Sequence, residues 1–263
     1  TRSSAVTGVQ TCALPICNVG YVFINNVENQ NRIGRKEGME MVAALKEVDD
    51  DPEVHVVILA AKGEYFCSGG KIDGFPDGKL VDQKAYCEAV IASVKAIHNM
   101  HKPIIAAVHA NAVAGGFMYM DACDIAIVGE TCKFGLPEIQ RGYFPMIALA
   151  TLQKSTPKKR LLEMAFTGDL VDAQTMYSWN LVNHVVPNDQ VLAEAEKLAE
   201  RIATYNTMST RFGRDGYYVA QTMDIDDAMH YCAAGIMNMI WTHDARETAY
   251  AAEEGRPANY LGY

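Results

Sequence analysis

The sequence lacks any long hydrophobic run, any paired-cysteine metal motif and any excess of basic residues. No window of the 263 residues reaches the roughly 18 uninterrupted apolar residues of a membrane helix. The formal net charge of −9 argues against a general nucleic-acid-binding face. The seven cysteines show neither C-x-x-C pairs nor zinc spacing. We therefore expect a cytoplasmic protein with free thiols, no bound metal, and no membrane or nucleic-acid partner.

The apolar content is ample for a core, but the first residues are unusual. Hydrophobic residues make up 49% of the chain, which suits one large domain or one domain with an appendage. The stretch V-T-G-V-Q-T-C-A-L-P-I at 6–16 resembles a translated sequencing adapter. We interpret residues 1–17 as a non-native or disordered segment from a metagenomic assembly, replacing a natural first strand. A signal peptide is the alternative, but a basic start and a clean apolar core are missing.

Strand and helix patterns alternate along the first half of the chain. Strands are predicted at 19–24, 54–60, 104–108 and 125–128, and helices at 38–48, 84–100 and 116–121. This alternation predicts an α/β fold with a mostly parallel sheet. After Pro145 the pattern becomes helical, at 147–152, 158–166, 173–179, 191–205 and 226–241. We divide the chain into a core domain, 18–195, and a carboxy-terminal helical region, 196–263, whose apolar faces serve the core or a subunit interface.

Two glycine-bearing segments follow strand-like runs and suggest a catalytic site. They read F-C-S-G-G-K-I-D at 66–73 and A-V-A-G-G-F-M at 112–118. Glycine lets a main-chain N–H approach a ligand closely, and two such groups aimed at one carbonyl oxygen form an oxyanion hole. Glu138, in F-G-L-P-E-I at 134–139, is the candidate acid or base. Ser68 does not lie in a G-x-S-x-G elbow, so serine hydrolysis is not predicted.

These motifs resemble those of the crotonase superfamily, the enoyl-CoA hydratase/isomerase family. Residues 66–72 look like its F-x-x-G-x-D-I/L segment, and residues 112–124 look like its A-x-G-G-G-x-x-x-x-x-x-C-D segment. Residues 134–139 look like F-x-x-P-E-I, and residues 167–187 resemble its T-G-x-x-x-x-A…G-L-V-N-x-V-V-P stretch. The similarity covers nearly everything from residue 18 to residue 263.

The resemblance implies a fold, a substrate and an assembly. It implies a spiral of ββα units with a carboxy-terminal trimerisation region, and trimers or hexamers. It implies a coenzyme A thioester as substrate and no separate cofactor. The thioester carbonyl would lie between the N–H groups of Gly70 and Gly115. Glu138 would then move a proton on the carbon beside the thioester. The predicted substrate-binding residues are Cys67, Ser68, Lys71, Ile72, Phe117, Met118, Tyr143 and Met146, with Lys62 and Lys79 as alternatives to Lys71 for the coenzyme A phosphates.

The chain departs from the family pattern at one catalytic position. Hydratases of this family use two glutamates, and the second falls on Met118, which cannot transfer a proton. A single glutamate suits movement of a double bond better than activation of water, although Tyr143 or Asp121 could supply a second polar group. Isomerisation and hydration both remain open. So do decarboxylation or carbon–carbon cleavage on the same scaffold, and a non-catalytic acyl-CoA binder.

Overall fold

The computed structural model describes residues 2–3, 8–14, 18–71 and 78–262. The strands in these ranges are β1 (Arg2–Ser3), β2 (Gly8–Leu14), β3 (Val19–Asn25), β4 (Val56–Ala61), β5 (Tyr65–Cys67), β6 (Ile104–Val108), β7 (Asn111–Val113), β8 (Ile125–Gly129), β9 (Lys133–Gly135), β10 (Leu170–Asp172) and β11 (His184–Val186). The helices are α1 (Arg35–Asp50), α2 (Leu80–His98), α3 (Gly115–Ala122), α4 (Met146–Leu152), α5 (Lys158–Thr167), α6 (Ala173–Ser178), α7 (Val191–Ala203), α8 (Thr207–Ala220), α9 (Ile225–Met239) and α10 (His243–Glu254).

The described strands form a larger and a smaller sheet. The larger sheet has the order β1-β2-β3-β4-β6-β8-β11, and it is parallel from β3 to β11. The smaller sheet has the order β10-β9-β7-β5, and its strands β5, β7 and β9 are parallel to one another. Successive strands along the chain belong to different sheets. Strands β4, β6 and β8 join the larger sheet, and β5, β7 and β9, which follow them in turn, join the smaller one. With α2 after β5 and α3 after β7, this is the predicted α/β arrangement of ββα units.

Helices cover both faces of the larger sheet, and its central strands are apolar throughout. All six residues of β4 are buried. Val57 and Leu59 face one core, which α1 and α2 complete. Val56 and Ile58 face the other core, which α7 completes. The continuous β-branched run at 54–60 therefore predicted a strand buried on two sides, as parallel sheets require.

The amino-terminal residues extend the larger sheet. β2 pairs antiparallel with β3, from Gly8 opposite Asn25 to Leu14 opposite Val19. Strand β2 thus lies within the segment that we expected to be foreign and to replace a natural first strand. The adapter origin of this segment stays a prediction.

The predicted helical patterns after Pro145 all correspond to helices in the structure, and α8 and α10 are additional. α7 crosses the boundary predicted between residues 195 and 196 as one helix, and it buries Val191, Ala195 and Ala199. Within the described ranges, no helix combines the length and the hydropathy that a bilayer crossing needs.

One buried arginine fixes α8 to the core. Arg214 Nε donates to Asp124 Oδ2 at 2.8 Å, and its terminal nitrogens donate to the carbonyls of Ile97, His98 and Met100 at the end of α2. The Arg214 side chain is 5% exposed. The hydroxyl of Tyr218, one turn further along α8, donates to the other oxygen of Asp124 at 2.7 Å. These bonds connect α8 to both α2 and the start of β8.

Replacing Arg214 with alanine should destabilise the protein strongly. The change leaves Asp124 and three carbonyls without their charged partner, and breaking a buried ion pair costs about 3–5 kcal/mol. Urea denaturation followed by circular dichroism measures the apparent free energy of unfolding. Lys197→Ala is the matched control, because it also removes one positive charge but at a side chain that is 78% exposed; it should change stability by less than about 0.5 kcal/mol. Equal stabilities of the two variants would contradict this account of α8.

Candidate active site

The two glycine segments lie side by side because the strands before them are parallel neighbours. β5 pairs with β7 in parallel, with Cys67 opposite Ala112. Both strands therefore end at the same edge of the smaller sheet, where Gly69 and Gly70 follow β5 and Gly115 begins α3. A Cβ built on Gly115 would lie 3.8 Å from the nitrogen of Gly70. The structure thus brings together the two main-chain segments singled out in the sequence.

The N–H groups of Gly70 and Gly115 are available in this arrangement. Their neighbours bond within the fold, since Lys71 N–H donates to Ile33 O and Ala114 N–H donates to Gly135 O, both at 2.8 Å. Neither Gly70 N–H nor Gly115 N–H donates to an acceptor within the described segments. Gly115 N–H is also the first of α3, where the helix dipole favours negative charge.

The backbone at this edge is unusual. Ala114, the residue before α3, has a φ of 52°, a value uncommon for a residue with a side chain. Gly116 allows α3 to approach β5, because a Cβ there would lie 2.3 Å from the carbonyl oxygen of Cys67. Residues held in sparsely populated backbone regions cluster at functional sites. The approach of α3 to β5 therefore depends on main-chain geometry that most residues would not tolerate.

Glu138 follows the third parallel strand of the smaller sheet. It lies in the 3-10 helix Pro137–Arg141, directly after β9, the parallel neighbour of β7. Its Oε2 is buried and has no hydrogen-bond partner in the described part of the chain. Burial raises the pKa of Glu138, and a main-chain N–H and Arg141 oppose that rise. A carboxyl whose pKa is raised by burial is suited to proton transfer.

Tyr86 joins the site although it lies in none of the sequence motifs described above. A Cβ built on Gly70 would lie 1.9 Å from the Tyr86 hydroxyl oxygen, so the hydroxyl lies against the Cα of Gly70. Burial raises the pKa of Tyr86 to about 12. The Tyr86 hydroxyl is therefore a protonated group at the glycine edge. Helical spacing places Tyr86 only on the buried face of α2, because Ala89 and Val90 are buried three and four residues later.

Three of the predicted substrate-binding residues lie in the core. Cys67 and Phe117 are 0% exposed, and Met118 is 2% exposed. Burial also raises the pKa of the Cys67 thiol to about 12, so this thiol is not an activated nucleophile. Direct substrate contact by these three side chains stays a prediction.

The other predicted binding residues lie nearer the surface. Ser68, Lys71 and Tyr143 are half-buried, and the Oγ of Ser68 is buried without a hydrogen-bond partner among the described residues. Met146 is 69% exposed. Ile72 lies outside the described residues. The roles of all five stay predictions.

The two candidates for a second polar group have different positions. The main-chain N–H of Tyr143 donates to the main-chain carbonyl of Glu138 at 3.1 Å, which keeps the two residues next to each other. Asp121 lies at the far end of α3, about 9 Å along the helix from Gly115. There Ser155 Oγ donates to Asp121 at 2.5 Å, and burial raises the pKa of Asp121 to about 6. Of the two residues, Tyr143 is therefore the one placed beside Glu138.

Asp121 lines a different cavity, of about 850 Å³, between α8 and the ends of α2, α3 and α4. Asp124, His98 and Arg214 also line it, whereas Gly70, Gly115 and Glu138 do not. In the described ranges, no group of three or more His, Cys, Asp or Glu side chains is arranged to hold a metal ion.

Comparison with known proteins gives first the fold and then the family. An enoyl-CoA hydratase from Bacillus anthracis superposes with a TM-score of 0.90 at 23% identity, covering 98% of this chain and 100% of that chain. An enoyl-CoA hydratase from Mycobacterium smegmatis superposes with a TM-score of 0.90 at 22% identity, covering 96% and 98%. At these identities the likeness shows a shared fold, the crotonase fold.

Sequence similarity shows the family. The family model described as enoyl-CoA hydratase/isomerase matches residues 17–262, so the chain belongs to the enoyl-CoA hydratase/isomerase family. The mevalonyl-coenzyme A hydratase of Aspergillus fumigatus is 31% identical over 220 residues, which are 82% of this chain and 81% of that protein. The crotonyl-CoA hydratase of Syntrophomonas wolfei is 27% identical over 242 residues, 91% of this chain and 93% of that protein.

Replacing Glu138 with glutamine should raise thermal stability in a pH-dependent way. The folded state raises the pKa of Glu138, so it binds the proton more tightly than the unfolded state does. The resulting loss of folding stability is absent at a pH below the pKa of Glu138 in the unfolded state. It is complete once the pH has risen through the pKa of Glu138 in the folded state. Glutamine cannot ionise, so Glu138→Gln should melt above the wild type at pH 8, and the difference should shrink toward pH 4.

Differential scanning fluorimetry across this pH range provides the measurement. The exposed Glu200 on α7 provides the matched control, since Glu200→Gln makes the same chemical change without a burial penalty. A wild type that is as stable as Glu138→Gln at pH 8 would show that Glu138 is not destabilised by its surroundings.

Proposed function

We propose that the protein is an acyl-CoA-processing enzyme that forms a thioester enolate. The thioester carbonyl oxygen binds between the N–H groups of Gly70 and Gly115, and Glu138 transfers a proton at the carbon beside the thioester. Family membership and the relatives named as CoA hydratases support the substrate class. Coenzyme A enters as part of the substrate, and the mechanism requires no separate cofactor.

One observation carries this proposal: the N–H groups of Gly70 and Gly115 lie at one edge of the smaller sheet and donate to no acceptor within the described segments. Glu138 follows the third parallel strand of the same sheet. An enolate concentrates negative charge on one oxygen, and losing one preorganised donor to such a charge typically costs about 3 kcal/mol. Glu138 has a buried oxygen with no hydrogen-bond partner among the described residues, and burial raises its pKa, as a proton-transferring group needs.

A single carboxylate favours proton movement over water activation. The second glutamate of the family's hydratases falls on Met118, which is 2% exposed and carries no ionisable group. Glu138 can remove a proton from the carbon beside the thioester and return it to the far carbon of the conjugated dienolate, which moves a double bond. Hydration would need a second polar group to hold the water, and Tyr143 is the neighbouring candidate.

Glu138→Gln should abolish turnover while substrate binding survives. Glutamine keeps the shape of the side chain but cannot accept a proton, and positioned acid–base groups contribute about 10²–10⁴-fold in rate. A panel of enoyl-CoA thioesters, incubated in deuterated and in ¹⁸O-labelled water, separates exchange of the α-hydrogen from addition of oxygen. We expect deuterium exchange in the wild type without ¹⁸O incorporation, and neither in Glu138→Gln.

The control for this experiment is again Glu200→Gln, which should match the wild type. Binding of a saturated acyl-CoA, measured by calorimetry, should change less than threefold in Glu138→Gln. Full activity in Glu138→Gln would remove Glu138 from the mechanism. Binding without any exchange in the wild type would favour a non-catalytic acyl-CoA binder, and ¹⁸O incorporation would favour a hydratase.

We also propose that the chain assembles into trimers or hexamers through α9. None of the residues of α9 is buried. Its apolar residues Ile225, Met229 and Ile236 recur at spacings of four and seven and are each more than half exposed. A helix with such an apolar stripe gains stability by covering it, and a second copy of the chain is the partner that the family suggests.

A charge on this stripe should dissociate the assembly. Sedimentation velocity should find the wild type as a trimer or hexamer, and Met229→Asp as smaller species, because the new carboxylate would be buried against an apolar partner. Asn238→Asp adds the same charge at another exposed position at the end of α9 and should leave the assembly intact. A monomeric wild type, or an unchanged Met229→Asp, would contradict assembly through α9.

A further inference from the structure

At position 70 the Tyr86 side chain, and not the backbone angles, conflicts with a side chain. The φ of Gly70 is outside the left-handed region, so the main chain there would accept alanine. The space, however, is taken, because a Cβ would lie 1.9 Å from the Tyr86 hydroxyl oxygen and 3.1 Å from the ring carbon that carries it. The absence of a side chain at position 70 therefore admits the hydroxyl of Tyr86 to the glycine edge.

The Tyr86 hydroxyl differs from other tyrosine hydroxyls in the fold. Tyr119 shares a hydrogen bond with Ser93 at 2.6 Å, Tyr218 donates to Asp124, and Tyr21 donates to Glu196 at 3.0 Å. Buried tyrosine hydroxyls usually find such a partner. Within the described residues, Tyr86 makes no corresponding hydrogen bond. Its pKa of about 12 keeps the hydroxyl protonated near neutral pH, so it is a donor and not a base.

Helix packing gives Tyr86 a defined position. Gly38 of α1 contacts α2 closely, since a Cβ there would lie 2.9 Å from the carbonyl oxygen of Ala89. Ala89, Val90 and Ser93 are buried on the same side of α2 as Tyr86. The close approach of α1 and α2 therefore holds the ring near Gly70 before any ligand arrives, as a preorganised donor requires.

We propose that the Tyr86 hydroxyl is a third hydrogen-bond donor to the thioester oxygen, acting beside the N–H of Gly70. This rests on the proposed function, because it needs a thioester bound at the glycine edge. As charge moves onto the oxygen during proton removal by Glu138, the hydrogen bond from Tyr86 strengthens together with those of the main-chain donors. Tyr86 is then a catalytic residue in the strict sense, since it touches the reacting group.

Tyr86→Phe tests this role, since it removes only the hydroxyl. We expect α-hydrogen exchange on the most active thioester of the panel to slow about 100-fold, the typical effect of losing one oxyanion donor. Binding of the saturated analogue should change less than threefold. The infrared C=O stretch of that bound analogue, labelled with ¹³C at the thioester carbon, should move to higher wavenumber. Tyr205→Phe, the same change at an exposed residue, should leave all three readouts unchanged.

The outcomes separate this inference from the function on which it rests. If the wild type exchanges hydrogen, Glu138→Gln does not, and Tyr86→Phe matches the wild type with an unshifted carbonyl stretch, then only the role of Tyr86 fails. If the wild type exchanges no hydrogen and binds no thioester, the proposed function fails. Should Tyr86→Phe not fold, 3-fluorotyrosine at position 86 keeps the hydroxyl but makes it a stronger donor. The carbonyl stretch should then move to lower wavenumber, and an unmoved stretch would overturn the inference.

Discussion

Parallel pairing among three very short strands positions the candidate site. β5, β7 and β9 have three residues each, yet their shared direction sends the following loops to one edge of the smaller sheet. The first loop presents Gly70, the second presents Gly115 and the third presents Glu138. Each strand is short because it needs only to carry the chain from the larger sheet to this edge. The chemistry of the site therefore depends on hydrogen bonds between main-chain segments about 20 to 45 residues apart in sequence.

The larger sheet supplies the rigidity that such short strands lack. Its strands β4, β6 and β8 are buried on both faces, between α1 and α2 on one side and α7 on the other. Each of the three short strands follows one of these buried strands within a few residues. Displacement of a glycine loop would therefore disturb a well-packed strand. This arrangement fixes main-chain donors without the need for any large side chain at the site.

The sequence predicted the elements whose burial leaves a periodic pattern. The strand at 104–108 was predicted with the observed bounds, since all five of its residues are apolar and buried. The strands of the smaller sheet were missed, because three residues are too few to show alternation. Helix α8 was missed because its docking depends on Arg214, a charged residue whose burial only the partner Asp124 explains. Gly70, Gly115 and Glu138 could be named from motifs, whereas Tyr86 required the packing of α2 to be known.

The contact between Tyr86 and Gly70 links the residue types that two positions sixteen residues apart can hold. A side chain at position 70 would overlap the hydroxyl of Tyr86. A larger residue at 70 therefore requires Tyr86 to move or to lose its hydroxyl, whereas Gly70 places no such demand on position 86. As long as Tyr86 keeps its hydroxyl in this position, residue 70 has no room for a side chain. The residue type in the first glycine segment is therefore determined by a side chain of α2.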